Sequence, residues 1–202
     1  KSEILPEAVV FHDLKRDVLL VDFRGSGDSD GQYTTIGYKE ALDVTAAFEW
    51  AKKNSAGKPV HLFGAAMGAA AILRAVYHSM VSPDGLILEC HYDRLLNTVK
   101  HRFELMKTPS FPAAQLLVFW GGVQHGYNAF RLNPAVYAAA VKCPVLVLHG
   151  DNDPRVKPPE IKAVYSALKG PSRLHTFTNM THESYCKANP SEYRRVLSEW
   201  LK

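Results

Sequence analysis

The stretch Pro59-Val-His-Leu-Phe-Gly-Ala-Ala-Met-Gly68, running on into Ala69-Ala-Ala-Ile-Leu-Arg-Ala-Val76, constrains this chain more than any other. Val60 to Phe63 is a short apolar run suited to a buried strand, and the segment after Gly68, rich in Ala and Leu, reads as a helix. Gly64 and Gly68 bracket three small or flexible residues at the junction. That spacing predicts a sharp turn in which small flanking residues let strand and helix approach closely. Ala66 stands at the centre of the turn.

The junction resembles the G-x-S-x-G nucleophile elbow of the α/β-hydrolase superfamily, the group of serine esterases, lipases and peptidases, with Ala66 where the family carries its serine. Further segments extend the resemblance. Asp22-Phe-Arg-Gly-Ser-Gly-Asp-Ser29 is similar to the D-x-R-G-x-G-x-S loop that follows a central strand in many members. His149-Gly-Asp-Asn-Asp153-Pro-Arg-Val156 is similar to the H-G-x-x-D-x-x-V signature, and His182 lies in a polar loop between the last strand and the closing helix. The resemblance implies Asp153 as triad acid, His182 as triad base and the Met67 N–H as one oxyanion donor, in the chain order nucleophile, acid, histidine. Asp151 reads as a turn cap, and His175, inside a strand, is the weaker histidine.

Taken in order, the apolar residues from Ile4 to Leu14 recur at helical spacing. Asp17–Asp22 reads as a buried parallel strand, and Phe23–Gly31 as a loop rich in Gly, Ser and Asp. Thr35–Lys53 reads as a long helix. Strands are expected at Asp84–Glu89, Cys143–His149 and Arg173–Phe177, with helices at Glu160–Leu168 and Ser191–Leu201. Alternating strands and helices argue for an α/β fold with a doubly wound, mostly parallel sheet. Residues 93–140 are too long for a plain connection and read as a helical cap inserted into a core formed by 1–92 and 141–202. In the resembling family such a cap covers the site, which implies that Phe119, Trp120 and Tyr127 line an acyl pocket; packing of these aromatics onto the sheet is the other reading.

At 202 residues with 47% hydrophobic composition the chain suits one domain with a substantial core. Its net charge of +4 is scattered, with no basic run of the kind that binds nucleic acid or anchors to a membrane. No apolar stretch approaches the roughly 20 residues of a membrane span. A soluble protein is expected. Cys90, Cys143 and Cys186 lack metal-ligand or C-x-x-C spacing and read as isolated thiols in a reducing, cytoplasmic compartment. The Gly-Ser-Gly of the early loop lacks a Walker lysine, and no histidine pair has zinc spacing, so neither a nucleotide, a metal nor another cofactor is expected.

The chain opens at what looks like the first helix after the family's second oxyanion loop, so the resemblance implies an N-terminally incomplete sheet whose uncovered side is a place for association. Two functions fit Ala66. Either alanine replaces a native serine in a hydrolase of small ester or acyl substrates, or the chain is a natural binding or scaffold protein on the same fold. The retained Asp153 and His182 favour the first.

Overall fold

The computed structural model describes residues 2–79 and 81–202. Four strands, β1 (His61–Ala65), β2 (Gly85–Glu89), β3 (Val145–Gly150) and β4 (Ser172–Phe177), form one parallel sheet in the order β1-β2-β3-β4. The helices are α1 (Leu5–Asp13), α2 (Glu40–Asn54), α3 (Met67–His78), α4 (Leu95–Leu105), α5 (Ala113–His125), α6 (Pro134–Tyr137), α7 (Pro158–Ala167), α8 (Tyr185–Ala188) and α9 (Pro190–Trp200).

Sequential parallel neighbours joined by right-handed crossovers place their connecting helices on one face. The packing follows that rule. Leu86, Leu88, Val145 and Val147 point into a core shared with α2, α3 and α7, whereas Ile87, Leu146 and Leu148 point to the opposite core, built from α1, α8 and α9. Strands β2 and β3 are therefore buried along their whole length, which is why they read in the sequence as unbroken apolar runs. The doubly wound architecture expected from the sequence is the one observed.

Two local expectations need correction. Asp17–Asp22 forms no strand, and Val18 and Leu19 are exposed. An apolar run becomes a parallel strand only beside a neighbour that takes its N–H and C=O groups. The second helix begins at Glu40, not Thr35, because the Glu40 carboxylate gathers Thr34 Oγ1 (2.8 Å), Thr35 N (2.7 Å) and Gly37 N (2.9 Å) into a tight turn ahead of it. Burial works against the charge of Glu40, yet these bonds hold its pKa below the ordinary carboxylate value.

The loop leaving Asp22 is knitted internally. Arg24 forks onto Asp43 of α2 at 2.6–3.1 Å, and Ser29 Oγ donates to the Asp22 carbonyl at 2.7 Å. Its tail runs under the elbow: Gly37, at φ +100°, approaches α3 so closely that a β-carbon would lie 3.1 Å from Ala71 N and 3.2 Å from Met67 O.

The two elbow glycines do different work. A β-carbon on Gly64 would lie 2.6 Å from the carbonyl carbon of Gly68 and 2.7 Å from Ala69 N, whereas one on Gly68 would meet nothing within 4 Å. Gly64 lets the strand press against the start of α3; Gly68 supplies the backbone it presses on. Gly64→Ala should destabilise the fold by about 2 kcal/mol or more, as overpacking against backbone does. Gly68→Ala should change stability by no more than about 1 kcal/mol. Thermal denaturation of the two variants side by side checks this, and equal losses would contradict it.

Candidate active site

The candidate residues follow the carboxyl ends of three of the four parallel strands. Leaving β1, Ala66 adopts φ 47°, ψ −109° as the residue that caps α3. A residue with a β-carbon held at such a conformation costs of the order of 1–3 kcal/mol and persists only where its surroundings impose it. Here the Ala66 N–H donates to the Glu89 carbonyl at 2.8 Å, the Ala66 carbonyl accepts from Ala70 N at 3.2 Å, and the Gly64 contact closes the turn from behind. A strand-to-helix turn of this kind lifts the central side chain clear of the sheet. Met67 opens α3, so its N–H has no partner within the helix.

Leaving β3, Asp153 is a buried carboxylate with three donors. Oδ1 accepts from Arg155 N (2.8 Å) and Val156 N (3.0 Å), and Oδ2 lies 2.7 Å from Nδ1 of His182, in the loop leaving β4. A carboxylate accepts from Nδ1–H, which leaves Nε2 as the ring's free lone pair. The His182 side chain is 17% exposed and that of Asp153 fully enclosed, so the pair has one wet end.

The loop carrying His182 is pinned to the end of β3. The Met180 carbonyl accepts from Asn152 N at 3.1 Å and lies so near Gly150 that a β-carbon there would approach it to 2.5 Å. Asp151 Oδ1 accepts from Asn179 N at 2.7 Å, so Asp151 is a turn cap bracing the histidine loop. Gly150 N donates to Tyr185 Oη at 2.8 Å, and the Tyr185 ring stacks on Phe177 of β4. Ala66 and Met180 pack against the same buried cluster on this face of the sheet.

A second buried polar group lies beneath. Ser184 Oγ hydrogen-bonds Glu7 of α1, and Tyr193 Oη hydrogen-bonds Glu89 Oε2 at 3.0 Å. Burial, reinforced by the Glu7 charge, pushes Glu89 up to about 8. Behind the site His91 and His149 are both buried; burial drives His91 down to about 3, with His149 beside it, and burial lowers His149 too. Nothing in the residue pattern marks Glu7, Glu89 or His91, and the signature that contains His149 does not reveal its burial.

The remaining sequence candidates fall elsewhere. His175 pairs with Glu192 at 3.0 Å, away from Asp153. Cys90, at the end of β2, is buried and its thiol is pushed well above its ordinary value by that burial, the opposite of an activated nucleophile. Tyr127 is half-buried, stacked on Tyr38 at 4.1 Å, and its hydroxyl donates to the Thr35 carbonyl at 3.0 Å. Phe119 and Trp120 contact each other but are 50% and 58% exposed on the outside of α5, not packed onto the sheet; Phe119 borders a shallow groove with Tyr127 and Phe130. Among the described residues no cluster of His, Cys, Asp or Glu suits a metal ion, and no helix is long and apolar enough to cross a membrane.

The raised Glu89 has a consequence for stability. Because the folded state holds this proton up to about 8 while the free carboxyl releases it near 4.5, Glu89 leaves stability whole below pH ~4.5 and subtracts from it as pH rises to about 8. Glu160, raised to about 8 by burial and by the neighbouring Asp93 carboxyl, acts the same way. Glu89→Gln should flatten part of the fall in melting temperature between pH 5 and pH 8, measured by calorimetry. An unchanged slope would contradict the buried, protonated state.

Comparison with known proteins agrees with the fold. The profile of the Prolyl oligopeptidase family matches residues 103–202. The chain is 26% identical over 195 residues to YqkD of Bacillus subtilis, covering 95% of this chain and 64% of that protein. It is 27% identical over 217 residues to the lysophosphatidylserine lipase ABHD12 of Macaca fascicularis, covering 95% of this chain and 50% of that one. The chain thus spans between half and two-thirds of the length of these relatives. Among solved structures, the Pyrococcus furiosus esterase Pf2001 superposes with a TM-score of 0.77 at 24% identity, over 98% of this chain and 74% of that one. Est1E of Butyrivibrio proteoclasticus, solved with ferulic acid, superposes with a TM-score of 0.73 at 18% identity, over 100% and 84%. A parallel sheet wound on both faces, with a strained turn after β1, a carboxylate after β3 and a histidine after β4, gives the chain the fold of these esterases.

Proposed function

We propose that this fold serves a serine hydrolase of carboxylic ester or acyl substrates in which Ala66 occupies the nucleophile position, so that the chain as it stands binds substrate without turning it over. The observation that carries this reading is the 2.7 Å contact between His182 Nδ1 and the enclosed Asp153 carboxylate, on a loop that packs against the same buried cluster as the strained elbow. That arrangement has chemical purpose only if Nε2 has a proton to take.

With serine at position 66, Oγ would attack the substrate carbonyl carbon as its proton passes to Nε2 of His182. Asp153 holds the ring in the required tautomer and stabilises the imidazolium that forms. The carbonyl oxygen becomes an oxyanion that accepts from the Met67 N–H; the leaving alcohol takes the proton back from His182, and water repeats the sequence on the acyl-enzyme. Asp153, His182, Met67 and position 66 are the residues assigned to this chemistry. In this reading residues 93–140 form the cap over the core, and Tyr127 with Phe119 at the groove rim contacts the acyl portion. The support is a chain of contacts from Tyr127 through Thr35 to Thr34, whose Oγ1 lies 3.1 Å from Met67 Sδ. Trp120, 58% exposed, is left out of the acyl contact in this reading.

The ester preference is supported by the lipase and esterases among the similar proteins, and the Prolyl oligopeptidase likeness makes an amide the comparison substrate. Ala66→Ser should be labelled stoichiometrically by a fluorophosphonate, read by intact mass, and should hydrolyse p-nitrophenyl butyrate at least about three orders of magnitude faster than the alanine form. His182→Ala on that background should abolish both. An unlabelled serine in a folded protein would overturn the triad and leave a binding protein.

A further inference from the structure

Helix α5 is built inside out. Its inward stripe is small, Ala114, Val118 and Gly122, and its outward arc carries Leu116, Leu117, Phe119, Trp120 and Val123, each at least half exposed. The inward stripe is small because the helix is pressed against its neighbours: a β-carbon on Gly122 would lie 2.6 Å from the Tyr127 carbonyl oxygen and 3.1 Å from Ala129 N. That close seat fixes which face points out. The large side chains are therefore held in solvent by the packing of the helix.

The flanks extend the same surface. Phe111, just before α5, is 75% exposed, and Met106, at the end of α4, is 61% exposed. Along this stretch of the sequence the charge is one-signed. From Leu105 to Gly150 the sequence contains no aspartate or glutamate, and α5 contains no charged residue besides its terminal His125. Lys107, ahead of Phe111, and Arg131, after Phe130, are exposed. The nearest preceding carboxylate, Glu104, is engaged by Lys157 at 2.6 Å.

An apolar arc holding Trp and Phe, carrying no acid of its own and followed and preceded in sequence by cations, matches the boundary of an anionic bilayer, where aromatic rings sit at headgroup level and lysine or arginine meets lipid phosphate. A second copy of the chain matches it less well, because a two-fold contact through this face would bring Lys107 and Arg131 toward their own counterparts. We propose that the outer face of α5, with Phe111 and the flanking Lys107 and Arg131, docks on the surface of an anionic phospholipid membrane. The docking involves neither Ala66 nor turnover; it shares only Phe119, at the edge of the arc, with the hydrolase reading, and none of the variants below alters that residue.

The test is partition of the whole chain onto sedimentable vesicles, of phosphatidylcholine alone or with roughly one-third phosphatidylglycerol. Binding to the anionic vesicles, weak binding to the neutral ones and a blue shift of tryptophan emission are expected. Leu116→Ser combined with Trp120→Ser should lower the partition coefficient about ten-fold or more. Lys107→Glu with Arg131→Glu should weaken binding to the anionic vesicles alone. Trp50→Ser, exposed on α2, should leave binding as it is; circular dichroism confirms that each variant is folded. The proposal is overturned by absence of binding, by equal binding to neutral vesicles, or by partition that survives the Leu116 and Trp120 changes. A stable dimer that those changes dissolve would overturn it in favour of a second copy.

Discussion

The bare backbone of Gly64 against the carbonyl of Gly68 and the N–H of Ala69 is the contact on which this structure turns. Because strand and helix meet there without a side chain between them, the chain reverses within one residue, and Ala66 is forced to φ 47°. The strain is local and the restraint is not: the Ala66 N–H is taken by β2, its carbonyl by α3, and Gly37 closes on the same helix from the preceding loop. A residue that is neither glycine nor asparagine keeps such a backbone only when the fold over-determines it. The elbow is thus a property of the sheet and its crossover helix together.

The same principle places the other half of the site. His182 sits on a loop whose course is set by Gly150, which admits the Met180 carbonyl, and by Asp151, which caps Asn179. Asp153 is saturated by two backbone N–H groups and the imidazole, so its charge is compensated although the side chain is enclosed. Two carboxylates two positions apart along one loop have divided their work: the exposed Asp151 holds backbone, and the enclosed Asp153 holds a ring. The parallel sheet explains why both halves meet. Every strand in it points its carboxyl end the same way, so loops far apart in sequence converge.

Much of this was readable from the residues. The β1–α3 junction, the buried runs of β2 and β3 and the placement of Asp153 and His182 after successive strands follow from short apolar runs ended by Gly, Asp and Asn, which are local signals. What escaped depends on contacts across the fold. Asp17–Asp22 has the composition of a strand, but composition does not supply a ladder partner. The start of α2 is decided by Glu40 reaching back to Thr34, Thr35 and Gly37. The outward turn of Phe119 and Trp120 had a signal that went unused: Ala114, Val118 and Gly122 recur every four residues, and a stripe of small residues marks the face that packs most closely. Glu89, His91 and His149 titrate abnormally because of burial, which no spacing reveals.

The central claim is that position 66, Met67 and His182 converge on one reacting carbonyl. A crystal structure of Ala66→Ser treated with an alkyl phosphonate ester tests it most directly. The account predicts phosphorus bonded to the serine Oγ, a phosphonyl oxygen accepting from Met67 N, and His182 Nε2 within hydrogen-bonding reach, about 2.6–3.2 Å, of the ester oxygens, with Nδ1 still on Asp153. A serine left unmodified in a folded crystal, or a phosphonate whose oxygen turns away from Met67 with His182 out of reach, would contradict it.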